Sequence, residues 1–383
     1  MLSSAQRDII KATIPLLETG GEVLTTHFYQ RMFSQYPEVR PLFNQAHQAS
    51  GSQPRALASS VLMYARNIDH PEALAPLAAR IVNKHAALQV QPEHYPIVGT
   101  CLLQAIREVL GAEVATDAVL EAWAVAYQQL ADLLIAAEQQ LYDQQAAASG
   151  GWRGSRTFRV VRRVAESTEV VSFYLEPADG GPLMDFQPGQ YIGLQLWIDG
   201  EEVRRNYSLS AVADGRCYRI SVKREPGGRA SGYLHDQVSE GSELQVFAPA
   251  GEFVLDQGGR PLLLLAGGIG ITPLLAMAEA ALVQGSRPVT LVHWVRDAGV
   301  QAFARQLQDW AGRFPQFQAH VIFGQPAPDQ ATLQQWAPGA AGSEVYFVGP
   351  RPFMACLKRQ LGLLGVADGQ LHYEFFGPAG ELA

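Results

Sequence analysis

The sequence predicts a multidomain chain: an all-α fold, then an antiparallel β-barrel, then an α/β fold with a doubly wound parallel sheet. Three observations carry that expectation. Residues 3–145 read almost entirely as helix, with no β-rich run. The stretch Ala146–Ser155 (AAASGGWRGS) is small, polar and glycine-rich, the texture of a boundary. Beyond it lie short β-rich runs between turn residues, and from Pro261 onward buried apolar runs alternate with helical ones.

In chain order, the helical region should break at Gly20–Gly21, Pro37–Pro41, Gly51–Pro54, Pro71, Gln91–Pro92 and Gly111–Thr116. Ser52 is placed to cap a helix with Pro54 in its first turn, and Thr116 to cap the last one. Several helices without an internal repeat suggest a non-bundle α fold. Between Pro71 and Gln91, the residues Leu77, Ala78, Ile81, Val82, His85, Leu88 and Gln89 recur at three-four spacing. His85 therefore lies on an apolar stripe, away from Arg80 and Lys84. An imidazole there faces a core or a cofactor, and a core histidine bonded to a carbonyl is the commoner case.

The helix from Pro92 presents Tyr95, Val98, Leu102, Ala105 and Val109 on one face. The last helix presents Leu120, Trp123, Tyr127, Leu130, Leu134, Glu138 and Leu141. A carboxylate on that stripe is costly to bury without a donor. The economical arrangement brings His85, Tyr95 and Glu138 together, with the acid accepting from the imidazole as it does behind metal-bound histidines. The alternative leaves three separate residues that reach solvent at helix ends. Two more helices supply an opposite wall, one with Val23, His27, Tyr29, Met32 and Phe33, the other with Gln53, Leu57, Val61, Tyr64 and Ile68. Gln53 and Leu57, one turn apart, share a face. Phe43 lies in the bend between.

Strands are expected at Phe158–Val164, Val170–Leu175, Tyr191–Ile198, Tyr218–Val222 and Leu244–Phe247. Arg205-Asn206-Tyr207-Ser208 follows the third. On a strand, Arg205 and Tyr207 share one side and Ser208 faces the other. An arginine grips a diphosphate, a tyrosine stacks on an isoalloxazine, and a small hydroxyl reaches a flavin nitrogen. Pro188-Gly189-Gln190-Tyr191 before this pattern and Gly227-Gly228-Arg229-Ala230-Ser231 after it add weight. The latter turn presents backbone N–H groups to phosphate, or simply closes a hairpin.

The final region alternates strands Leu262–Leu265, Val289–Trp294 and Val345–Val348 with helices Pro273–Gln284, Ala302–Trp310 and Pro352–Leu361. At Ala266-Gly267-Gly268-Ile269-Gly270-Ile271-Thr272-Pro273 a buried strand ends, glycines permit close backbone approach, and a helix begins. That is the geometry for a pyrophosphate at a helix N-terminus, although the spacing is not the generic GxGxxG. Arg296, past the second strand, suits a 2′-phosphate; Asp297 beside it does not, which tilts the expectation to NADH.

Composition narrows the function. A net charge of −8 over 383 residues disfavours nucleic acid as a partner. The three cysteines, Cys101, Cys217 and Cys356, are far apart and suggest neither a disulfide framework nor a zinc site. The start MLSSAQRDIIK has no apolar signal core. The most apolar run, Pro261–Met277, is interrupted by glycines and a proline, so it reads as strand and turn rather than a transmembrane segment. A cytoplasmic protein is expected.

Together these residue sets resemble the flavohaemoglobin family, and the resemblance covers the whole chain. Phe43, Gln53, Leu57 and His85 are globin-like; Tyr29 with Gln53, and His85 with Tyr95 and Glu138, look specifically like a flavohaemoglobin. The resemblance implies haem b, FAD and NADH or NADPH as cofactors. It makes His85 the ligand of the haem iron, with Phe43 and Leu57 against the haem. Tyr95 and Glu138 would form the catalytic hydrogen-bond network behind His85, and Tyr29 and Gln53 would donate to dioxygen. Lys84 and Glu374 would tune redox potential. FAD would contact Tyr191, Arg205, Asn206, Tyr207, Ser208, Gly228 and Ser231, and the C-terminal Phe375, Phe376, Gly377 and Pro378. The nicotinamide nucleotide would contact Gly268, Ile269, Gly270, Ile271, Thr272 and Pro273, with Gly349 and Pro350 of a second motif. One departure stands out: the family often has cysteine before that Gly-Pro, where this chain has Val348, which bears on hydride geometry.

The activity so implied is nitric oxide dioxygenation, giving nitrate from NO and O2 at a haem reduced by NAD(P)H through FAD. The alternatives are an NAD(P)H-dependent flavin reductase of ferric, peroxide or quinone acceptors, and an oxygen-binding or gas-sensing globin. The expected domains are a globin at 1–147, a linker at 148–156, an FAD-binding barrel at 157–257 and an NAD(P)H-binding domain at 258–383. The expected partners are O2, NO and NAD(P)H, with a lipid or azole-type ligand allowed in the distal pocket, and the chain is expected to be a monomer.

Overall fold

A computed structural model describes residues 2–44, 48, 51–285, 287–324 and 328–377. The chain divides into two units, one running to Ala146 and including Gly377, the other spanning Ala147–Phe376.

Among the described residues, the first unit is built from α1 (Ser4–Ala12), α2 (Ile14–Gln35), α3 (Ser52–Arg66), α4 (Ala75–Leu88), α5 (His94–Leu110) and α6 (Asp117–Ala147). A capping box opens α1: the Ser3 hydroxyl accepts from the Gln6 N–H while the Gln6 side chain accepts from the Ser3 N–H. The expected break at Gly20–Gly21 is absent, since α2 runs through both glycines. The chain breaks instead at Thr13, whose hydroxyl donates to the Ile10 carbonyl at 2.7 Å, and Pro15 sits in the next first turn. Gly21 serves packing, because a Cβ there would already touch Ala58 at 3.4 Å across α3.

Ser52 does not cap α3. Gly51 holds the cap position at φ +69°, a conformation that suits glycine, and it brings no side-chain oxygen. Thr116 does cap α6, its hydroxyl accepting from the Val119 N–H at 3.4 Å. Gln89 does not extend the His85 stripe, because it ends α4 in the left-handed region at φ +56°. The main core gathers Ile10, Leu24, Phe28, Met32, Ala105 and Trp123. A second cluster of Val82, Tyr95, Ala131 and Leu134 packs α4, α5 and α6 together.

In the second unit, β1 (Ser155–Ala165), β2 (Val170–Pro177), β3 (Tyr191–Ile198), β4 (Glu201–Ser208), β5 (Tyr218–Lys223) and β6 (Glu243–Ala250) form an antiparallel sheet in the order β4-β3-β6-β1-β2-β5. A bridge between Leu209 and Ile220 joins the two edges and curls the sheet into a barrel. Phe158, Phe173, Ile192, Leu194, Tyr218 and Val246 fill it. After β5 comes α7 (Arg229–Gln237), which the sequence shows only as a glycine-rich turn because just Ala230, Ser231 and Leu234 of it are buried.

A second, all-parallel sheet contains β7 (Leu262–Gly267), β8 (Val289–Val295), β9 (Phe317–Phe323), β10 (Glu344–Val348) and β11 (Leu371–Tyr373), ordered β11-β10-β7-β8-β9. Its helices are α8 (Ile271–Gln284), α9 (Ala304–Arg313), α10 (Gln330–Trp336) and α11 (Arg351–Leu363). Leu262, Leu264 and Ala266 pack with α8 and α9, while Leu263 and Leu265 pack with α10 and α11, so both faces are covered. The edge strands β9 and β11 carry no continuous apolar run, and the sequence does not announce them. Among the described residues, no helix is long and apolar enough to cross a membrane.

Candidate functional site

Three helices of the first unit converge on one carboxylate. Glu138 of α6 is 2% exposed. Its Oε1 accepts from the Tyr95 hydroxyl at 2.6 Å and from His85 Nδ1 at 2.7 Å, with that hydroxyl 3.1 Å from Nδ1. The reading in which these three residues stay apart is thereby excluded. An ionised carboxylate only accepts, so Nδ1 carries the proton and Nε2 keeps a lone pair for a metal. The acid is enclosed, yet the His85 side chain is 33% exposed, so the imidazole is the open end of the network. Burial, then the neighbouring acid, pushes the Tyr95 hydroxyl well above the usual tyrosine range and keeps it a donor. Tyr127, beyond it, donates to the Tyr95 carbonyl at 2.6 Å, and its ring presses on Gly99, where a Cβ would come within 2.6 Å. This donor set fits the iron of a haem: one imidazole, oriented from behind, in an otherwise apolar wall.

Tyr29 on α2 packs against Phe28, Phe33 and Phe43, with ring centroids 4.9, 5.8 and 5.6 Å away. Its hydroxyl meets the side chains of Gln53 and of Gln48, and burial holds its pKa far up. Gln48 is a site residue the sequence reading missed; it precedes α3 and so falls outside the helical stripe that singled out Gln53 and half-buried Leu57. Val23 and His27, expected on this wall, face outward. Val23 is 64% exposed, and His27 pairs with Glu108 at 2.7 Å.

On the barrel, the hairpin β3–β4 sets Leu194 against Arg205, Ile192 against Tyr207 and Tyr191 against Ser208. The Arg205 guanidinium donates to the Arg204 carbonyl at 2.7 Å and has no carboxylate within ion-pairing reach among the described residues. Burial pulls its pKa down, and Arg229 adds to that. A mostly enclosed cation without a counter-charge fits a pyrophosphate. Arg229 opens α7, whose first N–H groups lack helical acceptors. Ser231 accepts from the Glu225 N–H at 3.1 Å and donates to the Gly228 carbonyl at 3.2 Å, so it locks this helix start. Tyr191 and Tyr207 are raised by burial above the ordinary range, Asn206 is exposed, and Ser208 is buried. These residues fit FAD.

At the C-terminal edge of the parallel sheet, the turn Gly268–Gly270 joins β7 to α8. A Cβ on Gly270 would lie 2.2 Å from the Val348 carbonyl oxygen, and one on Gly349 would lie 2.6 Å from the Phe353 ring. Backbone therefore meets backbone where the strand order reverses, the usual place for a dinucleotide. Only Gly268 and Ile269 of this turn reach the surface. Ile271, Thr272 and Pro273 are buried, and the Thr272 hydroxyl donates to the Ile269 carbonyl at 3.0 Å. Pro350 caps α11. Arg296 is paired with Glu169, and Asp297 accepts from the Gly299 and Val300 N–H groups.

Of the C-terminal residues, Glu374 places negative charge near Tyr191. Phe375 packs on Tyr373 and under Arg351, and Phe376 is exposed. Within the first unit, Lys84 Nζ donates to the Gly377 carbonyl at 2.8 Å. Pro378 lies outside the described residues.

The globin family model matches residues 26–134, and that of the oxidoreductase FAD-binding domain matches 157–255. The chain is 62% identical to a flavohemoprotein of Pseudomonas aeruginosa and 58% identical to one of a Burkholderia species, in both cases over 100% of each chain. Its structure is similar to that of a flavohemoglobin from Malassezia yamatoensis with bound FAD and heme, at 28% identity and TM-score 0.84, covering 98% of this chain and 100% of that one. The FAD/NAD-binding domain of a nitric oxide dioxygenase from Vibrio cholerae matches 59% of this chain at 36% identity and TM-score 0.56, over 100% of its own length.

Proposed function

Because this chain belongs to the flavohaemoproteins, NAD(P)H-dependent oxidoreductases that join a globin to an FAD module, we propose that it converts nitric oxide and O2 to nitrate. In this reading residues 1–147 hold haem, 157–257 hold FAD and 258–383 hold the nucleotide, joined by 148–156. The observation that carries the reading is the buried Glu138 carboxylate, 2.7 Å from His85 Nδ1, in a chain that also carries its own reductase. An oxygen carrier needs no hydride donor.

Haem and FAD, when bound, supply the one-electron relay between a hydride donor and a gas. The residues set its terms. Glu138 draws on the Nδ1 proton and makes Nε2 a stronger electron donor; Tyr95 and Tyr127 hold that acid and its partner in place. Tyr29 offers a hydroxyl and Gln53 an amide to the negative end of a diatomic ligand. Arg205 and the start of α7 would hold the flavin pyrophosphate, and Tyr207 would supply an aromatic face to the ring. Arg296, engaged by Glu169, is drawn away from a 2′-phosphate, which favours NADH. The expected setting is the cytoplasm, as a monomer.

Stopped-flow mixing of the oxygenated protein with NO tests the reading. Rapid consumption with nitrate as the product is expected. Slow consumption, or another product, would transfer the activity to the flavin as a reductase of ferric, peroxide or quinone acceptors, or reduce the globin to binding or sensing a gas.

A further inference from the structure

One buried imidazole is not used by anything above. His293 lies near the end of β8 and is 1% exposed. Its Nε2 is 2.9 Å from the Gly268 carbonyl oxygen. A carbonyl only accepts, so Nε2 carries the ring proton. Nδ1 is buried with no hydrogen-bond partner among the described residues. Burial pushes the pKa down to about 4, so the ring is a neutral, single donor at ordinary pH.

Its target is the exposed point of the nucleotide turn. Gly268 sits at φ +55°, a conformation reserved in practice for glycine, and a glycine leaves its peptide free to turn over. The backbone of Ile271 also donates to this carbonyl from within the turn, and among the described residues the imidazole is the group that ties it to the sheet below. The Gly268–Ile269 peptide is trans, and in a trans peptide the C=O and N–H point in opposite directions. A carbonyl held inward by His293 therefore aims the Ile269 N–H outward, where an anion would sit. The opposite orientation would present a carbonyl oxygen to the same anion. The other residues of the turn are constrained differently, Gly270 by the lack of room for a side chain against the Val348 backbone and Thr272 by its own bond to Ile269.

We propose that His293 is a positioning residue that orients the Gly268–Ile269 peptide so that its N–H donates to the pyrophosphate of the pyridine nucleotide. The inference rests on the nucleotide site read above and adds how its donor is set.

Calorimetric titration of the FAD- and haem-loaded protein with NAD+ tests it. His293→Leu should weaken binding about tenfold, the scale of one charge-assisted hydrogen bond, and raise the KM for NADH in step, with kcat at saturation kept. His293→Gln, which retains an N–H donor, should recover most of the loss. Flavin reduction by N-benzyl dihydronicotinamide, a hydride donor without phosphate, should proceed equally in all variants. Unchanged NAD+ affinity in His293→Leu overturns the proposal, as does equal slowing with both donors, which marks general damage. If the leucine variant does not fold, His293→Met provides the same comparison at similar bulk. Failure of the unsubstituted protein to bind NAD+ would overturn the nucleotide site itself, a distinct result.

Discussion

At the scale of single residues, the chemistry rests on who donates to whom. Glu138 accepts two hydrogen bonds on one oxygen, and at 2.7 Å it is a nearer acceptor for His85 Nδ1 than the Tyr95 hydroxyl at 3.1 Å. Replacing Glu138 with alanine should slow anaerobic haem reduction by NADH by about 10- to 100-fold, the range seen when such supporting acids are lost, with the Soret band retained. An unchanged rate would remove Glu138 from the mechanism. His293 makes a second prediction, about stability. Its folded pKa, about 4, lies below the ordinary 6.5. Between those values the unfolded chain binds the extra proton, so the contribution is complete above pH 6.5 and is lost as pH falls toward 4, by roughly 3 kcal/mol in all. Calorimetric unfolding of the reductase unit should show this slope, and His293→Leu should flatten it.

At the scale of elements, close approach decides which glycines matter. Gly270 has an ordinary helical φ of −58°, so its freedom is not the point. Space is: α8 begins so near the end of β10 that a Cβ would meet the Val348 carbonyl at 2.2 Å. Gly270→Ala should part these two elements, weaken NADH binding by more than tenfold and cost the reductase unit about 1–3 kcal/mol. Steady-state KM and thermal unfolding would read both, and normal values would show that the turn yields. The sequence made this turn legible through a buried strand, a cluster of glycines and a helix signal in order. It misled at Gly20–Gly21, where the helix runs through both glycines and only Gly21 faces a neighbouring helix, because a sequence does not say what lies across from a missing side chain.

At the scale of the whole molecule, each unit carries its own core and, on the proposed assignment, its own cofactor residues. Loss of one cofactor should therefore leave the other bound. Arg205→Leu should lower FAD occupancy at least tenfold while the haem absorbance stays, since a charged grip on a diphosphate is lost only in the barrel. Absorption spectra of the purified variant, with and without NADH, would check it: a full Soret band that NADH no longer shifts is expected, and loss of haem together with flavin would contradict it.

Much of this was determined by the sequence alone. The helical stripe with His85, the strand pair Arg205 and Tyr207, and the strand–glycine–helix junction at Gly267–Pro273 are patterns of spacing, and spacing is covalent. The tertiary structure alone decided which groups share a proton or a lone pair. Gln48 joins Tyr29, Ser231 turns inward to lock a helix start, Glu169 engages Arg296, and His293 reaches Gly268 across 25 residues of chain. Such pairings arise where separate elements meet, and hydrogen bonds depend on distances through space that no periodicity along the chain encodes.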